Sequence, residues 1–358
     1  MSDVVHGGLQ QAELDALGLT RADILDLSAS LNPAGPHPDV LIAAVEADLR
    51  RYPEPAAASL RNALAGLEGV DPSEVLVTAG ATAAIHLAAR AFLEAGSRAV
   101  IFGPTFGEYA SAARAAGAGI DERAFADLEA GHLDLGDLGE RPFAFVCNPN
   151  NPTGGYLEQS VVEGIAAAVA HRNGVLLLDV AYDAFVEGAW DAEDLVRAGA
   201  PVLVAHSMTK LHAIPGVRVG YVTGPASLIA RLEASQPSWS VSAQAIAVGL
   251  AAVRVDATQR EFALEVTATR RALVEALRGA GLEVRDGRAN FVLARVDDVD
   301  AATFRTRLLR RGFAVRDCAS FGLEGWVRVA MPPAGAVRRL VTAFVAARDD
   351  AARDEPGV

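Results

Sequence analysis

The sequence predicts an α/β fold in two domains: a large domain built on a mostly parallel sheet between helices, and a smaller α+β domain after it. In the first two thirds of the chain, short apolar and β-branched runs alternate with longer helical stretches, which is typical of parallel strands joined by helices. Polar residues follow several of these runs directly, so we expect them to meet at the carboxyl edge of the sheet. A length of 358 residues suits a large domain plus a small one.

Composition excludes several classes of protein. The formal net charge of −13 argues against nonspecific nucleic-acid binding, which needs a basic face. Because no apolar run is long enough to span a bilayer and the N-terminus lacks the pattern of a signal peptide, we expect a cytoplasmic protein without a membrane partner. The two cysteines, Cys147 and Cys318, form no disulfide framework and lack metal-ligand spacing, so no metal site is expected.

The N-terminal part of the chain predicts two helices and a short strand before the sheet begins. The helices cover residues 10–17 and 38–49, and the strand begins near residue 24 and leads to Asn32. A proline follows Tyr52 and disfavours α-helical backbone there, so this tyrosine lies in a rigid extended turn. A tyrosine in such a turn is often only a packing residue.

The first strand of the sheet, at residues 74–78, is followed by a glycine turn and a helix. The turn contains Gly80, Ala81 and Thr82, and the helix runs on from it. Free backbone N–H groups and the helix dipole at such a turn favour a phosphate. The signal is weak by itself because many strand-to-helix turns have this form, and the chain has no Gly-x-Gly-x-x-Gly dinucleotide motif.

Three further strands lead to residues suited to a binding site. The strand at 99–102 leads to Phe106, and the strand at 143–147 leads to a rigid turn with two Asn-Pro pairs at 148–154. The most apolar strand carries Asp179 near its end. A carboxylate beside such a run is costly to bury without a cationic partner, which indicates a ligand, although an N-cap role at the next helix is the alternative.

A reactive lysine is predicted just past the strand at 201–205. Ser207 lies three residues before Lys210, and Arg218 lies eight residues after it. Lysine forms a Schiff base with an aldehyde once a cation or burial lowers its pKa, and hydroxyl, amine and guanidinium together suit a phosphorylated aldehyde. Without other evidence, the serine and lysine would more often be a solvated surface pair. Residues 218–223 predict a further, antiparallel strand.

The last third of the chain predicts the smaller domain. A break at 236–242 is followed by one long helix from 243 to about 280. Three strands are expected after it, near residues 282–284, 290–294 and 326–330. The chain is predicted to divide into three parts. Residues 1–35 form an N-terminal arm that packs with the small domain, residues 36–240 form the large domain, and residues 241–358 form the small domain.

Three motifs together resemble one enzyme family. They are Ser-x-x-Lys at 207–210 with its arginine, Asn-Pro-Asn-Asn-Pro-Thr-Gly at 148–154, and Ile-Pro-Gly-Val-Arg-Val-Gly-Tyr at 214–221. Along essentially its whole length the chain resembles fold-type I enzymes that use pyridoxal 5′-phosphate (PLP), of the class I/II aminotransferase kind. It is most similar to the branch of threonine-phosphate decarboxylases and histidinol-phosphate aminotransferases. The resemblance implies a PLP cofactor, a seven-stranded type of large sheet, and a homodimer with shared active sites.

The resemblance also implies roles for residues around the cofactor. The catalytic residues would be Lys210, which holds PLP as a Schiff base, Asp179, which pairs with the ring nitrogen, and Tyr182. Tyr182 and Asn151 would bond the 3-oxygen of PLP, and Phe106 would stack on its ring. The cofactor phosphate would be bound by the glycine turn, by the lysine segment and by a tyrosine from the partner subunit, namely Gly80, Ala81, Thr82, Ser207, Arg218 and Tyr52.

Four residues are expected to bind a small anionic amino-acid phosphate, namely His6, Asn32, Arg316 and Arg328. His6-Gly7-Gly8 resembles the opening of the decarboxylases, but Leu9 stands where that family commonly has Asn. Arg328 would clamp the substrate's α-carboxylate, although an arginine in a strand can instead face water. Arg316 would be a second anion contact.

The cofactor residues serve either of two reactions. The leading interpretation is decarboxylation of L-threonine O-3-phosphate to aminopropanol phosphate in cobalamin biosynthesis. Four segments resemble that branch, namely His6-Gly7-Gly8, Ile214-Pro215-Gly216, the Trp239 segment and Arg316-Asp317-Cys318. The alternative is an aminotransferase of the histidinol-phosphate type. A non-catalytic PLP-binding regulator is a remote alternative, since such regulators carry a DNA-binding domain in front and the chain has no room for one before residue 26.

Overall fold

The computed structural model describes residues 6–133, 135–296 and 299–350. Its strands are β1 Leu25–Asp26, β2 Val75–Thr78, β3 Arg98–Gly103, β4 Gly119–Ala124, β5 Phe143–Cys147, β6 Val175–Asp179, β7 Val202–Ser207, β8 Gly220–Thr223, β9 Val284–Arg285, β10 Phe291–Arg295, β11 Phe313–Ala314, β12 Arg316–Asp317 and β13 Trp326–Ala330. Its α-helices are α1 Gln11–Leu17, α2 Pro38–Glu46, α3 Ala58–Glu68, α4 Ala81–Phe92, α5 Glu108–Ala115, α6 Phe125–Glu129, α7 Gln159–Ala170, α8 Glu193–Arg197, α9 Met208–Leu211, α10 Ala226–Ser235, α11 Ala243–Arg254, α12 Asp256–Gly279, α13 Ala301–Leu309 and α14 Val337–Asp349.

A seven-stranded mixed sheet forms the centre of the molecule, in the order β2-β8-β7-β6-β5-β3-β4. Strands β4, β3, β5, β6 and β7 are parallel, and β8 is antiparallel to both β7 and β2. The predicted α/β class, the mostly parallel sheet and its one antiparallel strand are confirmed. The carboxyl ends of β5, β6 and β7 therefore lie together at one edge, as expected from their polar residues.

Helices cover both faces of this sheet, which explains why its inner strands are apolar without alternation. On one face, α4, α5 and α10 pack on side chains such as Ile101 and Leu177. On the other, α6, α7 and α8 pack on the neighbouring positions Val100 and Leu176. Each strand thus buries successive residues in two different apolar clusters.

Strand β4 was not predicted, and its position explains why. It lies at the edge of the sheet beside β3, and its sequence Gly-Ile-Asp-Glu-Arg-Ala alternates between exposed and half-buried residues. An edge strand with one solvated side needs no apolar run, and charged residues are common there. The apolar pattern that identified the inner strands is absent from it.

The C-terminal part of the chain forms a second, four-stranded antiparallel sheet in the order β12-β13-β10-β9, which packs with α12, α13 and α14. The prediction of one continuous helix from residue 243 is wrong. The helical stretch breaks at Val255 into α11 and α12, with neither glycine nor proline at the break. Helix α11 packs on α2 and α3, whereas α12 packs in the apolar cluster of the four-stranded sheet.

The N-terminal segment joins the second sheet region through β1, which pairs in parallel with β11, with Leu25 opposite Phe313. The three-part domain division stays a prediction. None of the helices in the described ranges combines the length and the apolarity that crossing a membrane requires.

Candidate active site

A cavity of about 390 Å³ lies at the carboxyl edge of the seven-stranded sheet, facing the four-stranded sheet. It brings together most of the site residues that the sequence predicted, although they come from distant parts of the chain. Those that line it are His6, Ala81, Thr82, Phe106, Asn151, Asp179, Tyr182, Ser207, Lys210, Arg218, Arg316 and Arg328. Three predicted residues lie elsewhere, namely Gly80, Asn32 and Tyr52.

Lys210 lies on α9, one turn after the end of β7, and its Nζ reaches into the cavity. Nζ donates to the carbonyl O of Ala29 at 2.9 Å. Burial, with the positive charges of Arg328 and Arg218, lowers the pKa of Lys210 to about 8. A substantial fraction of this amine is therefore neutral, and nucleophilic, near physiological pH.

Lys210 is also the only lysine in the chain. All other basic residues are arginine or histidine. The Ser-x-x-Lys motif pointed to Lys210 without using the fact that the chain has a single lysine. That fact supports Lys210 as the reactive amine independently. Arginine stays protonated in proteins, so no other side chain in the sequence can act as an amine nucleophile at neutral pH.

An anion cup lies beside Lys210 at the N-terminus of α4. Gly80 is the N-cap residue with φ of +90°, and a Cβ atom on it would lie 2.9 Å from Nη2 of Arg218. The backbone conformation favours glycine here, and the Arg218 guanidinium would have to shift to admit a side chain. Ala81 and Thr82, the first residues of α4, line the cavity with Arg218, so backbone N–H groups and a cation converge on one position.

Asp179 closes the opposite side of the cavity and is almost fully buried. Burial raises the pKa of the Asp179 carboxyl above its ordinary value, while hydrogen bonds from the Tyr109 hydroxyl and the Ala181 N–H act against that rise. The distances are 2.8 Å from Tyr109 Oη and 3.0 Å from Ala181 N. The carboxylate is thus fixed in orientation and would be stabilised further by a cationic ligand atom.

Sequence reasoning missed Tyr109 and a second residue that acts on Asp179. His206 is buried behind the site, and the pKa of Asp179 is also lowered by its charge. Burial alone would lower the pKa of His206, but its hydrogen bond to Glu193 and nearby carboxylates raise that pKa to about 9. His206 directly precedes the Ser-x-x-Lys motif, but no sequence signal links Tyr109 to Asp179.

Two arginines from the four-stranded sheet face the cavity from the other side. Arg316 and Arg328 are cross-strand partners on β12 and β13. Arg328 donates to Asn151 Oδ1 and, at 2.8 Å, to the carbonyl O of Ser28, and its Nε has no hydrogen-bond partner among the residues that the structure describes. Arg316 donates to Ser320 Oγ at 2.6 Å. Like charges side by side are unfavourable unless an anion lies between or beside them.

The half-buried ring of Phe106 and the buried ring of Tyr182 line the cavity between these two groups of charges. Phe106 packs edge-on against Tyr109, and Tyr182 packs edge-on against Phe291, with ring centroids 5.7 and 5.1 Å apart respectively. Burial raises the pKa of the Tyr182 hydroxyl to about 12, so it stays protonated as a hydrogen-bond donor. The walls of the site are therefore aromatic and suited to a flat ring.

Asn32 lies behind Lys210 rather than in the cavity. Its backbone N–H donates to the carbonyl O of Lys210 at 3.0 Å, and its side chain donates to Leu211 O and Gln259 Oε1. In this position Asn32 holds the lysine segment in place and is separated from a ligand by Lys210 itself.

Tyr52 lies on the surface, with 81% of its area exposed, and stacks on Trp239 at a centroid distance of 4.8 Å. Apolar side chains of α2 and the turn after it are exposed as well, namely Leu41, Ile42, Val45 and Leu49. Contiguous exposed apolar groups of this size are typical of a protein interface.

Comparison with known proteins places these features in one family. The model of the family described as "Aminotransferase class I and II" matches residues 22–344. Histidinol-phosphate aminotransferase 1 of Thiobacillus denitrificans is 33% identical over 92% of this chain and 86% of its own length. Threonine-phosphate decarboxylase of Salmonella typhimurium is 32% identical over 95% of both chains. The name histidinol-phosphate aminotransferase recurs among other relatives that are 30% to 34% identical.

Solved structures agree with this assignment. L-threonine-O-3-phosphate decarboxylase from Porphyromonas gingivalis matches with a TM-score of 0.80 at 28% identity, over 90% of this chain and 98% of that one. A Thermus thermophilus aspartate aminotransferase double mutant matches with a TM-score of 0.79 at 25% identity, over 94% of both chains. The resemblance found in the sequence motifs is thereby confirmed, and the chain belongs to the class I and II aminotransferase family.

Proposed function

We propose that this protein is a PLP-dependent aminotransferase of the histidinol-phosphate type, acting on a small phosphorylated amine. The family implies the PLP cofactor. The observation that carries the proposal is the placement of one partly neutral lysine, Lys210, between an anion cup on one side and the Arg316–Arg328 pair on the other. Two separate anion sites around one amine suit a phosphorylated cofactor and an anionic substrate.

The residues present fit PLP in three respects. The space beside Gly80, which a Cβ atom would fill, lies under Arg218 at the N-terminus of α4, and it suits the cofactor phosphate together with Ala81, Thr82 and Ser207. The buried Asp179 has a raised pKa and suits the cationic ring nitrogen. The cavity walls also carry Phe106, which would stack on the cofactor ring, and Asn151 and Tyr182, which would hydrogen-bond its 3-oxygen. When bound, PLP supplies an aldehyde carbon that captures amines and a cationic ring that withdraws electrons from the substrate's α-carbon.

Lys210 would carry the protons of the reaction. With a pKa of about 8, its Nζ is partly in the free-base form at neutral pH, so Nζ would accept the proton of the substrate's α-carbon and hold it as an ammonium. Asp179, oriented by Tyr109 and Ala181, would keep the ring nitrogen charged throughout. Burial of Asp179 excludes water from its carboxylate, which strengthens this interaction.

Arg328 and Arg316 would bind the anionic part of the substrate. A guanidinium binds carboxylate and phosphate groups bidentately, and both Arg316 and Arg328 line the cavity. Because the amino donor and the 2-oxo-acid acceptor of an aminotransferase must use one site in turn, a pair of arginines that can bind either a phosphate or a carboxylate suits both substrates. His6, at the same side of the cavity, would contribute a further contact.

Decarboxylation of threonine phosphate is the second candidate, and the sequence motifs favoured it. His6 lies in the cavity with Arg316, as that branch's motifs imply, and the Salmonella typhimurium decarboxylase aligns over 95% of both chains. The recurrence of the aminotransferase name among relatives of similar identity favours the first candidate. Lys210, Asp179 and Arg328 serve both reactions.

A product assay separates the two candidates. The PLP-loaded protein is incubated with histidinol phosphate plus 2-oxoglutarate and, separately, with threonine phosphate, and glutamate and CO₂ are followed. Glutamate formation without CO₂ supports the aminotransferase. Release of CO₂ from threonine phosphate, without consumption of 2-oxoglutarate, would contradict it and support the decarboxylase.

The active unit is proposed to be a homodimer in which Tyr52 contributes to the site of the other subunit. The exposed Tyr52–Trp239 pair and the neighbouring apolar face of α2 support this arrangement, because they leave a large apolar surface for a second copy to cover.

A further inference from the structure

Residues 6–9 belong to the predicted N-terminal arm and are called the arm from here on. They pack closely against the wall of the cavity. A Cβ atom on Gly7 would lie 2.3 Å from the carbonyl O of Ser28, so no other residue fits there without movement. Gly8 has φ of +110°, and its N–H donates to Ser28 Oγ at 2.7 Å. Leu9 packs against the apolar cluster around Leu14. The two glycines therefore serve a tight packing contact, and the leucine anchors the arm.

Beyond this contact, the arm is held at its tip by a buried carboxylate. Glu108, the first residue of α5, has a side chain that is 6% exposed. Its Oε1 lies 2.9 Å from Nε2 of His6, and its Oε2 lies 2.7 Å from Nε2 of His86 on α4. A buried carboxylate is costly unless both oxygens are hydrogen-bonded, and here each oxygen has one imidazole.

These contacts determine which atom of His6 remains for a ligand. Nε2 of His6 is the ring nitrogen that lies against the Glu108 carboxylate, so Nδ1 is the nitrogen not engaged by Glu108. The ring also packs edge-on against Phe106, with centroids 6.1 Å apart. Glu108 and His86 do not line the cavity themselves, so they act on a ligand through His6.

We propose that Glu108, held by His86, is a positioning residue that fixes His6 at the mouth of the cavity and thereby sets the preference for phosphorylated over unphosphorylated substrates. This inference rests on the proposed function, in which the substrate carries a phosphate. Without Glu108 the imidazole is free to rotate and the arm loses its contact with α5, so the phosphate loses an oriented partner while Lys210 and Asp179 are untouched.

Steady-state kinetics of the PLP-loaded protein test the proposal on whichever phosphorylated substrate is turned over. Glu108→Gln and Glu108→Ala should raise KM for that substrate on the order of 10- to 100-fold, the range for one lost hydrogen bond to a charged group. The effect on kcat should be much smaller. With the unphosphorylated counterpart, histidinol or threonine, kcat/KM should change little. Glu94→Gln, which removes an exposed carboxylate at the other end of α4, is the matched control and should behave as wild type.

A double-mutant cycle distinguishes positioning from a general structural effect. In a His6→Ala background, Glu108→Ala should have little further effect on KM, because the residue it positions is gone. His86→Asn should show the same dependence on His6. Effects of Glu108→Ala and His6→Ala that simply add would overturn the proposal.

Hydrogen exchange of the arm provides a readout that does not depend on turnover. The amides of residues 7–9 should exchange faster in Glu108→Gln than in wild type or Glu94→Gln, at an unchanged melting temperature. Glu108→Gln keeps the shape of the side chain and so guards against a variant that fails to fold. If the wild type converts neither phosphorylated substrate, the proposed function fails while the exchange measurement still decides whether Glu108 holds the arm. Unchanged exchange in the folded variant refutes that role.

Discussion

The lowered pKa of Lys210 can be measured directly, because the chain contains one lysine. Protein labelled with ¹³Cε-lysine gives a single side-chain signal, and its pH titration in the PLP-free protein should have a midpoint near 8 rather than 10.5. The shift arises from burial and from the positive charges of Arg328 and Arg218. Replacing Arg328 by leucine should move the midpoint upward, whereas replacing the exposed Arg285 by glutamine should leave it unchanged.

The same shift predicts how stability depends on pH. A pKa of about 8 in the folded chain, against 10.5 in the unfolded chain, means that the unfolded state binds more protons between these values, so stability rises with pH across that window. Below pH 8 the buried ammonium disfavours folding by about 3 kcal/mol, at about 1.4 kcal/mol per pKa unit. Since Lys210 is half-buried, solvent reduces this figure, and we expect about 2 kcal/mol.

Urea denaturation of PLP-free wild type and Lys210→Met, at equal protein concentration and at pH 7, 8, 9 and 10, measures this contribution. Methionine removes the amine but also its hydrogen bond to Ala29, a loss that is nearly independent of pH. The free energy of unfolding of the variant relative to wild type should therefore fall by about 2 kcal/mol from pH 7 to pH 10. A difference that stays constant over this range, or a lysine midpoint near 10.5, would refute the electrostatic reasoning.

Three further predictions concern the cofactor site and the dimer. Gly80→Ala should weaken PLP binding about tenfold or more in an absorbance titration, because the new Cβ meets Arg218 and the backbone conformation is strained; wild-type affinity would contradict the anion cup. Tyr109→Phe should raise the pKa of the Asp179 carboxyl, so the acid limb of the pH–rate profile should move to higher pH; an unmoved limb would count against this contact. Mixing inactive Tyr52→Phe and Lys210→Ala subunits should restore activity, and a mixture that stays inactive at dimer-forming concentrations would argue against shared sites.

The inner strands of the large sheet were predictable because helices cover both faces. Burial on both sides requires apolar residues at successive positions, and the runs ending at Thr78, Cys147 and Asp179 show this pattern. The edge strand β4 lacks it because one of its sides is solvated. The break at Val255 was missed because the chain turns there without glycine or proline, and Asp256 is held by His212 and Arg260, contacts that no local pattern encodes.

The site was predictable where a motif is local and unpredictable where contacts join distant segments. Ser207, Lys210 and Arg218 lie within one segment, so a local motif that resembles the family could suggest them as site residues. The hydroxyl of Tyr109 meets Asp179 across 70 positions, and Glu108 meets both His6 and His86. Asn32 was assigned to the substrate, yet in the fold it supports the backbone of Lys210. Sequence spacing predicts which residues are chemically suited to a site, while packing decides what each one touches.

The hydrogen bond from Arg328 to the carbonyl O of Ser28 joins positions 300 residues apart. Closing a loop of that length costs about 5 kcal/mol of chain entropy, and such contacts form late in folding. Residues 25–28 are synthesised long before their partners on β11 and β13. During synthesis the seven-stranded sheet, with Lys210 already in place, therefore folds ahead of its own active site. We therefore expect a newly synthesised chain to bind PLP before it binds substrate. Substrate binding should appear when Arg328 reaches Ser28.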